Sequence, residues 1–129
     1  MVPEPRPADH ELTTAWMGVH GHFMIHVLRP RPRTVLVRVA GEIDLDTARK
    51  LDEVVRSGVD GEVDEVVVDL AAVTFFSVAG LNSLLRARLL ADTAGAHLTI
   101  DAERSHAVRR LFGLLPLELD GVSLVLASR

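Results

Sequence analysis

Hydrophobic and polar residues alternate along two short stretches in the first third of the chain. Residues 23–27 place an apolar side chain at every second position, and residues 35–39 repeat the pattern. Such alternation is typical of β-strands with one buried face. The polar segment RPRPRT, residues 29–34, lies between them. The pattern therefore predicts two strands joined by a turn, as in a hairpin.

Apolar residues at three- and four-residue spacing predict helices in three later stretches: residues 48–55, 81–89 and 107–112. Asp44 or Asp46 can cap the first helix by accepting a hydrogen bond from a free backbone N–H. Each predicted helix is followed by a residue that ends helices, namely Gly58, Gly95 and Pro116.

A continuous apolar run, EVVVDL at residues 65–70, predicts a central strand that is covered on both faces. AHLTI and VSLVLA, residues 96–100 and 122–127, predict two further strands. Strands that alternate with helices imply parallel crossovers, which pack helices against a sheet. We therefore expect an α/β domain with a mixed sheet of about five strands and helices packed largely on one face.

The N-terminal segment differs from the rest of the chain. Residues 1–20 hold three of the six prolines and few apolar residues, which predicts a flexible leader followed by one domain over residues 21–129. This segment has no apolar core of a secretory signal, and no apolar run in the chain approaches the ~20 residues that a membrane span needs. The sequence therefore predicts a cytoplasmic protein without a membrane span.

The composition of the chain excludes several kinds of functional site. The chain has no cysteine, which excludes disulfides, thiolate nucleophiles and cysteine metal sites. Its net charge is −4 and its arginines are spread along the chain, so we expect no nucleic-acid partner. His20 and His22 alternate on a strand, but no acid or cysteine stands at ligand spacing, so no metal is expected. We find no catalytic motif and no glycine-rich phosphate loop, and we expect neither enzymatic activity nor a cofactor.

Two separated segments, GEIDLDTA and VVVDLAAVTFFSVAGLNSLL, resemble the STAS family, the sulfate-transporter and anti-sigma-factor-antagonist domain. The resemblance covers residues 21–127 and is closest to stand-alone anti-sigma factor antagonists, also called anti-anti-sigma factors. Their motif reads roughly D-L-x-x-V-x-F-[ML]-D-S-S-G-L. It is matched here by Asp69, Leu70, Val73, Phe75, Gly80 and Leu81.

The resemblance implies a partner, an anti-sigma factor that is also a serine kinase. In the family, this kinase phosphorylates the second serine of DSSG, and only the unmodified antagonist binds it. Here the motif's aspartate falls on Ser77, its first serine on Val78 and its acceptor on Ala79. Because Ala79 has no hydroxyl, no phosphoester can form at that position. Ser77 is then either a helix N-cap or a displaced acceptor.

The resemblance also implies a partner-binding surface, for which the candidates are Asp44, Thr47, Ser77, Val78, Ala79, Gly80 and Leu81. Asp44 and Thr47 can equally serve as capping residues of the first helix. Asp69 is expected to form hydrogen bonds within the turn that follows it. Two other functions stay open. One is a non-switching STAS subunit of a larger signalling or lipid-transport complex, and the other is a small-molecule or nucleotide binder.

Overall fold

The computed structural model describes residues 11–18, 21–59, 61–114 and 122–125, and the statements below concern these residues. Six strands form one sheet, in which the spatial order follows the chain order. They are β1 Glu11–Gly18, β2 Gly21–Arg31, β3 Thr34–Ile43, β4 Glu65–Phe76, β5 His97–Asp101 and β6 Val122–Val125.

The sheet is mixed. The pairs β1–β2 and β2–β3 are antiparallel, whereas β3–β4, β4–β5 and β5–β6 are parallel. Each parallel step has a helix in its connection: α1 Leu45–Gly58, α2 Val78–Ala94 and α3 His106–Leu114. This arrangement confirms the predicted α/β architecture. The sheet has six described strands, where about five were expected.

The additional strand comes from the segment that was expected to be a flexible leader. β1 pairs with β2 from Glu11 opposite Leu28 to Gly18 opposite Gly21. Threonine and tryptophan in ELTTAWMG are residues that favour strands, whereas the prolines that suggested a leader precede it. Residues 1–10 and 19–20 lie outside the described residues, and the domain boundary at residue 21 stays a prediction.

One core lies between the sheet and the three helices. Val66 and Val68 of β4 are 1% and 0% exposed and share a buried cluster with residues of all three helices. Val67, which points to the opposite face, is only half-buried. β4 is central, as expected, but the expectation of cover on both faces is corrected. All three described helices pack on the face that carries Val66 and Val68.

Local signals set most element boundaries. α1 begins after Asp44 and includes Gly58, and α2 is followed by Gly95 in the left-handed conformation at φ +75°. The turn between β2 and β3 is shorter than predicted, since only residues 32–33 separate the strands. Pro116 and residues 126–127 of the last predicted strand lie outside the described residues. None of the helices in the described ranges is long and apolar enough to cross a bilayer.

Candidate functional site

The candidate residues meet where β3 and β4 end. The two strands are parallel neighbours, with Ile43 opposite Phe76, and each continues into a helix within two residues. The backbone N–H of Ser77 donates to the carbonyl of Ile43 over 3.1 Å. This bond places the start of α2 directly beside the start of α1. The carboxyl ends of parallel strands are where α/β proteins commonly place their binding sites.

Asp44 caps α1 through a reciprocal pair of hydrogen bonds. The N–H of Thr47 donates to Oδ1 of Asp44 over 3.0 Å, and the N–H of Asp44 donates to Oγ1 of Thr47 over 2.8 Å. The Thr47 hydroxyl also donates to the carbonyl of Glu42 over 2.9 Å. This capping box confirms the capping interpretation, with Asp44 in that role and not Asp46. Thr47 is only 2% exposed, so it supports the loop from within.

Ser77 caps α2. Its Oγ accepts a hydrogen bond of 3.2 Å from the N–H of Gly80, and its carbonyl accepts one of 3.1 Å from the N–H of Leu81. The side-chain bond satisfies the N–H of Gly80, which the first turn of a helix otherwise leaves free, and the bond from Leu81 is the first regular hydrogen bond of α2. The first turn of α2 carries no acidic residue. The capping interpretation of Ser77 is therefore confirmed, while its modification is a separate question.

Gly80 lets α2 approach the sheet closely. A Cβ atom there would lie 2.7 Å from Cε1 of Phe76 and 2.9 Å from Cγ2 of Ile43. The next residue, Leu81, is 5% exposed and belongs to the core. Gly80 and Leu81 therefore anchor the first turn and leave other residues to form its outer surface.

The outer surface at this edge of the sheet is apolar. Val78, the first residue of α2, is 58% exposed, and Leu45, the first residue of α1, is 61% exposed. Phe75 is 47% exposed, and Ala79 is half-buried. We call these four residues the apolar patch. Single exposed apolar side chains are common on proteins, but several at one edge of a sheet indicate a contact surface.

Acidic groups lie on the α1 side of the apolar patch. Glu42, Asp44 and Asp46 occupy the end of β3 and the start of α1. Oε1 of Glu42 is buried and has no hydrogen-bond partner in the described part of the chain. A partner that docks here would meet an apolar centre with carboxylates on one side.

Comparison with known proteins identifies the family. The chain matches the family described as "Mlab, STAS domain" over residues 26–125, which is more than half of its length. The chain belongs to the STAS domain family. No curated protein matches this STAS domain.

Two solved structures have the same fold. One is the anti-sigma factor antagonist SpoIIAA in its unphosphorylated form, which is 15% identical to this chain in sequence. The TM-score is 0.61, and the similarity covers 81% of this chain and 89% of that chain. An anti-sigma factor antagonist from Mycobacterium paratuberculosis is 23% identical, also with a TM-score of 0.61, and 85% and 90% of the two chains are covered. At these identities the likeness establishes the fold.

The STAS domain brings all seven predicted site residues to one edge, but only some can touch a partner. Ser77, Val78 and Ala79 are exposed or half-buried, whereas Thr47, Gly80 and Leu81 are buried. Leu45 and Phe75 were not predicted. Leu45 directly follows the cap residue of α1, which leaves it at the outer edge, and Phe75 alternates with the buried Phe76. Both signals are present in the sequence.

Asp69 lies in β4 opposite Asp101, where the pairing of β4 with β5 ends. It accepts a hydrogen bond of 2.9 Å from the N–H of Ala71, and its Oδ2 lies 3.4 Å from Nε of Arg38. The expected local hydrogen bond is present, but it lies within the strand, because β4 continues to Phe76 and no turn follows Asp69. The described residues include no cluster of three or more His, Asp or Glu that could hold a metal. The pair considered for a metal, His20 and His22, lies outside the described side chains.

Proposed function

We propose that this STAS domain is an anti-sigma factor antagonist that binds an anti-sigma factor of the serine-kinase type. The observation that carries the proposal is the position of Val78 and Ala79. Val78 is exposed at the first turn of α2, and Ala79 beside it is half-buried against the core. Both align with the serines of the family motif. The fold shared with two anti-sigma factor antagonists supports the proposal.

The chemistry of the site suits a protein partner. The side chains of Leu45, Phe75 and Val78 lose contact with water when an apolar surface covers them, which favours association. The small side chain of the half-buried Ala79, next to Val78, leaves room for a close approach of the partner's backbone. Carboxylates beside the patch favour a partner with basic groups near its apolar centre, since complementary charge speeds and orients docking. The protein acts by binding and not by catalysis, and we place it in the cytoplasm.

The proposed antagonist is not switched at the family position. Ala79 offers no hydroxyl for phosphoryl transfer, so the protein stays in the unmodified form that binds. The Ser77 hydroxyl is held at the helix N-cap, where its oxygen already accepts the Gly80 N–H. A phosphoryl group would add a charge of about −1.5 to −2 at this surface. The partner would be controlled by the amount of this protein and not by its modification.

A second function is favoured by a specific observation. The matching family description names Mlab, and the acceptor serine is absent. Both fit a non-switching STAS subunit of a larger signalling or lipid-transport complex. Such a subunit would use the same apolar patch for a permanent contact with another subunit.

One experiment separates the two functions. The tagged full chain is used as bait in a cell lysate, beside the same chain with Val78→Asp as a matched bait. The antagonist function predicts a serine-kinase anti-sigma factor that the parent retains and the variant loses. Transporter subunits with the same dependence on Val78 would support the second function. Partners retained equally by both baits would contradict the proposed surface.

A further inference from the structure

A cavity of about 590 Å³ lies between the second half of β4 and α3. Residues 71–76 of β4 form one side, and residues on and before α3 form the other. Pockets that bind small molecules commonly have volumes of about 300–1,000 Å³. The cavity is therefore large enough for a small organic ligand.

The cavity results from the way in which β5 ends. β5 pairs with β4 only as far as Asp69 opposite Asp101, so within the described residues the remainder of β4 has no strand on that side. The chain then turns into α3, and the buried hydroxyl of Ser105 donates to the carbonyl of Val73 over 2.8 Å. The same oxygen accepts the N–H of Val108 over 3.2 Å. Ser105 thus fixes the start of α3 against β4 and leaves the space beyond it open.

The walls of this cavity combine apolar surface with positive charge. Phe75 and Leu111 contribute apolar surface, whereas Arg104, His106 and Arg110 contribute basic groups. None of the described lining residues is acidic. Both arginines are exposed, and neither forms an ion pair with an acid in the described ranges. Arginine recognises carboxylate and phosphate groups through two parallel N–H donors.

We propose that this cavity binds a small amphipathic anion, an apolar body that ends in a carboxylate. Arg104 and Arg110 hold the anionic group, and the body lies against Phe75 and Leu111. Binding at this site does not depend on the proposed contact at the start of α2, although the two surfaces share one residue. The two adjoin at Phe75, which belongs to both the cavity and the apolar patch.

The test uses octanoate as the probe and 1-octanol as its uncharged counterpart. Each is titrated into the full ¹⁵N-labelled chain, and amide chemical shifts are followed. Saturable shifts are expected for octanoate, confined to residues 71–76 and 104–111. Replacing both arginines, Arg104→Gln with Arg110→Gln, is expected to weaken octanoate binding by roughly tenfold or more. 1-Octanol should bind the parent and this variant equally weakly.

A matched variant controls for the loss of net charge. Arg49 on α1 and Arg109 on α3 are exposed and do not line the cavity, so Arg49→Gln with Arg109→Gln removes the same two charges elsewhere. This variant should bind octanoate as the parent does. The proposal is overturned if octanoate shifts fall outside the cavity residues, if the control variant loses binding equally, or if 1-octanol binds as tightly as octanoate.

Discussion

The backbone N–H of Ser77 donates a hydrogen bond of 3.1 Å to the carbonyl of Ile43. Through this contact the N-caps of two helices lie side by side, since Asp44 follows Ile43 and caps α1 while Ser77 caps α2. The two first helical residues, Leu45 and Val78, are both exposed at this edge. The contact therefore assembles one surface from segments that are more than thirty residues apart in the chain.

Gly80 is expected to be required for packing and not for flexibility. Gly80→Ala places a methyl group against Phe76 and Ile43, and such overpacking costs about 1–3 kcal/mol. The better helix propensity of alanine offsets about 1 kcal/mol of that cost. We therefore expect a net loss of up to about 2 kcal/mol in the free energy of unfolding, measured by urea denaturation.

A second glycine serves as the control. A Cβ atom at Gly113 in α3 would have no neighbouring atom of the described residues within 4 Å. Gly113→Ala should therefore raise stability, by up to about 1 kcal/mol. If Gly80→Ala gains stability as Gly113→Ala does, the close contact of α2 with the sheet is not what selects glycine at that position.

Substitutions at Ser77 test whether the start of α2 needs a side-chain acceptor at this position. Ser77→Ala leaves the Gly80 N–H without its acceptor and should lower stability by about 1 kcal/mol. Ser77→Asp keeps an acceptor and adds a negative charge at the positive end of the helix dipole, so it should be at least as stable as the parent. Equal losses in both variants in thermal melts would show that the cap contributes little here.

An ion pair at the β2–β3 turn sets a pH dependence. Nε of Arg33 donates to Oδ2 of Asp64 over 2.6 Å and Nη2 donates to Oδ1 over 2.8 Å, and these bonds lower the pKa of Asp64. A lowered folded-state pKa contributes stability above the unfolded pKa, and this is lost as the pH falls through the folded value. Arg33→Gln should raise the pKa of Asp64, since the hydrogen bonds and the charge of Arg33 that lower it are removed, and NMR titration of the carboxyl group measures the change.

The parent and the Arg33→Gln variant should therefore differ least in stability at low pH. Parent and Arg33→Gln are expected to converge in stability once the pH lies below the folded pKa of Asp64, because the carboxylate is protonated in both. A stability difference that persists unchanged at that pH would show that the arginine acts through packing and not through the ion pair.

Absence of phosphorylation is a direct prediction from Ala79. Incubation of the full chain with a purified serine-kinase anti-sigma factor and ATP should leave its intact mass unchanged. A relative that carries the DSSG motif serves as the positive control for the kinase. A gain of one phosphoryl group localised to Ser77 would show that the acceptor has moved by two residues.

The sequence predicted the elements that local signals define. The sequence predicted Asp44 or Asp46 as one cap and offered Ser77 as another, because short polar side chains before an apolar helical pattern satisfy free N–H groups. Gly95 was identified as a helix end, and its φ of +75° explains why glycine stands there. These features depend on a few neighbouring residues, which a single sequence shows directly.

Features that depend on distant contacts were predicted less well. The strand β1 was not predicted, because the composition of residues 11–18 does not show that they pair with β2. Burial of Thr47 follows from bonds to Asp44 and Glu42, and burial of Leu81 from packing beneath the first turn. The cavity beside α3 depends on where β5 stops pairing with β4. Such relationships between separate elements leave no periodic pattern in the sequence.

The proposed function requires that the start of α2 is the surface that binds an anti-sigma factor. Ala79→Glu and Val78→Glu each add a negative charge there, and the helix dipole tolerates that charge with a gain of about 0.3–1 kcal/mol. Leu89→Glu is the matched control, since Leu89 is 64% exposed on the same helix but far from its start. Thermal melts establish that all three variants fold.

The deciding measurement is calorimetric titration of each folded variant against a purified serine-kinase anti-sigma factor. Covering an unpaired charge at an interface is costly, so Ala79→Glu and Val78→Glu should weaken binding by roughly tenfold or more. Leu89→Glu should bind as the parent does. If both variants at the start of α2 bind as tightly as the parent, the contact surface lies elsewhere and the proposed binding surface is contradicted.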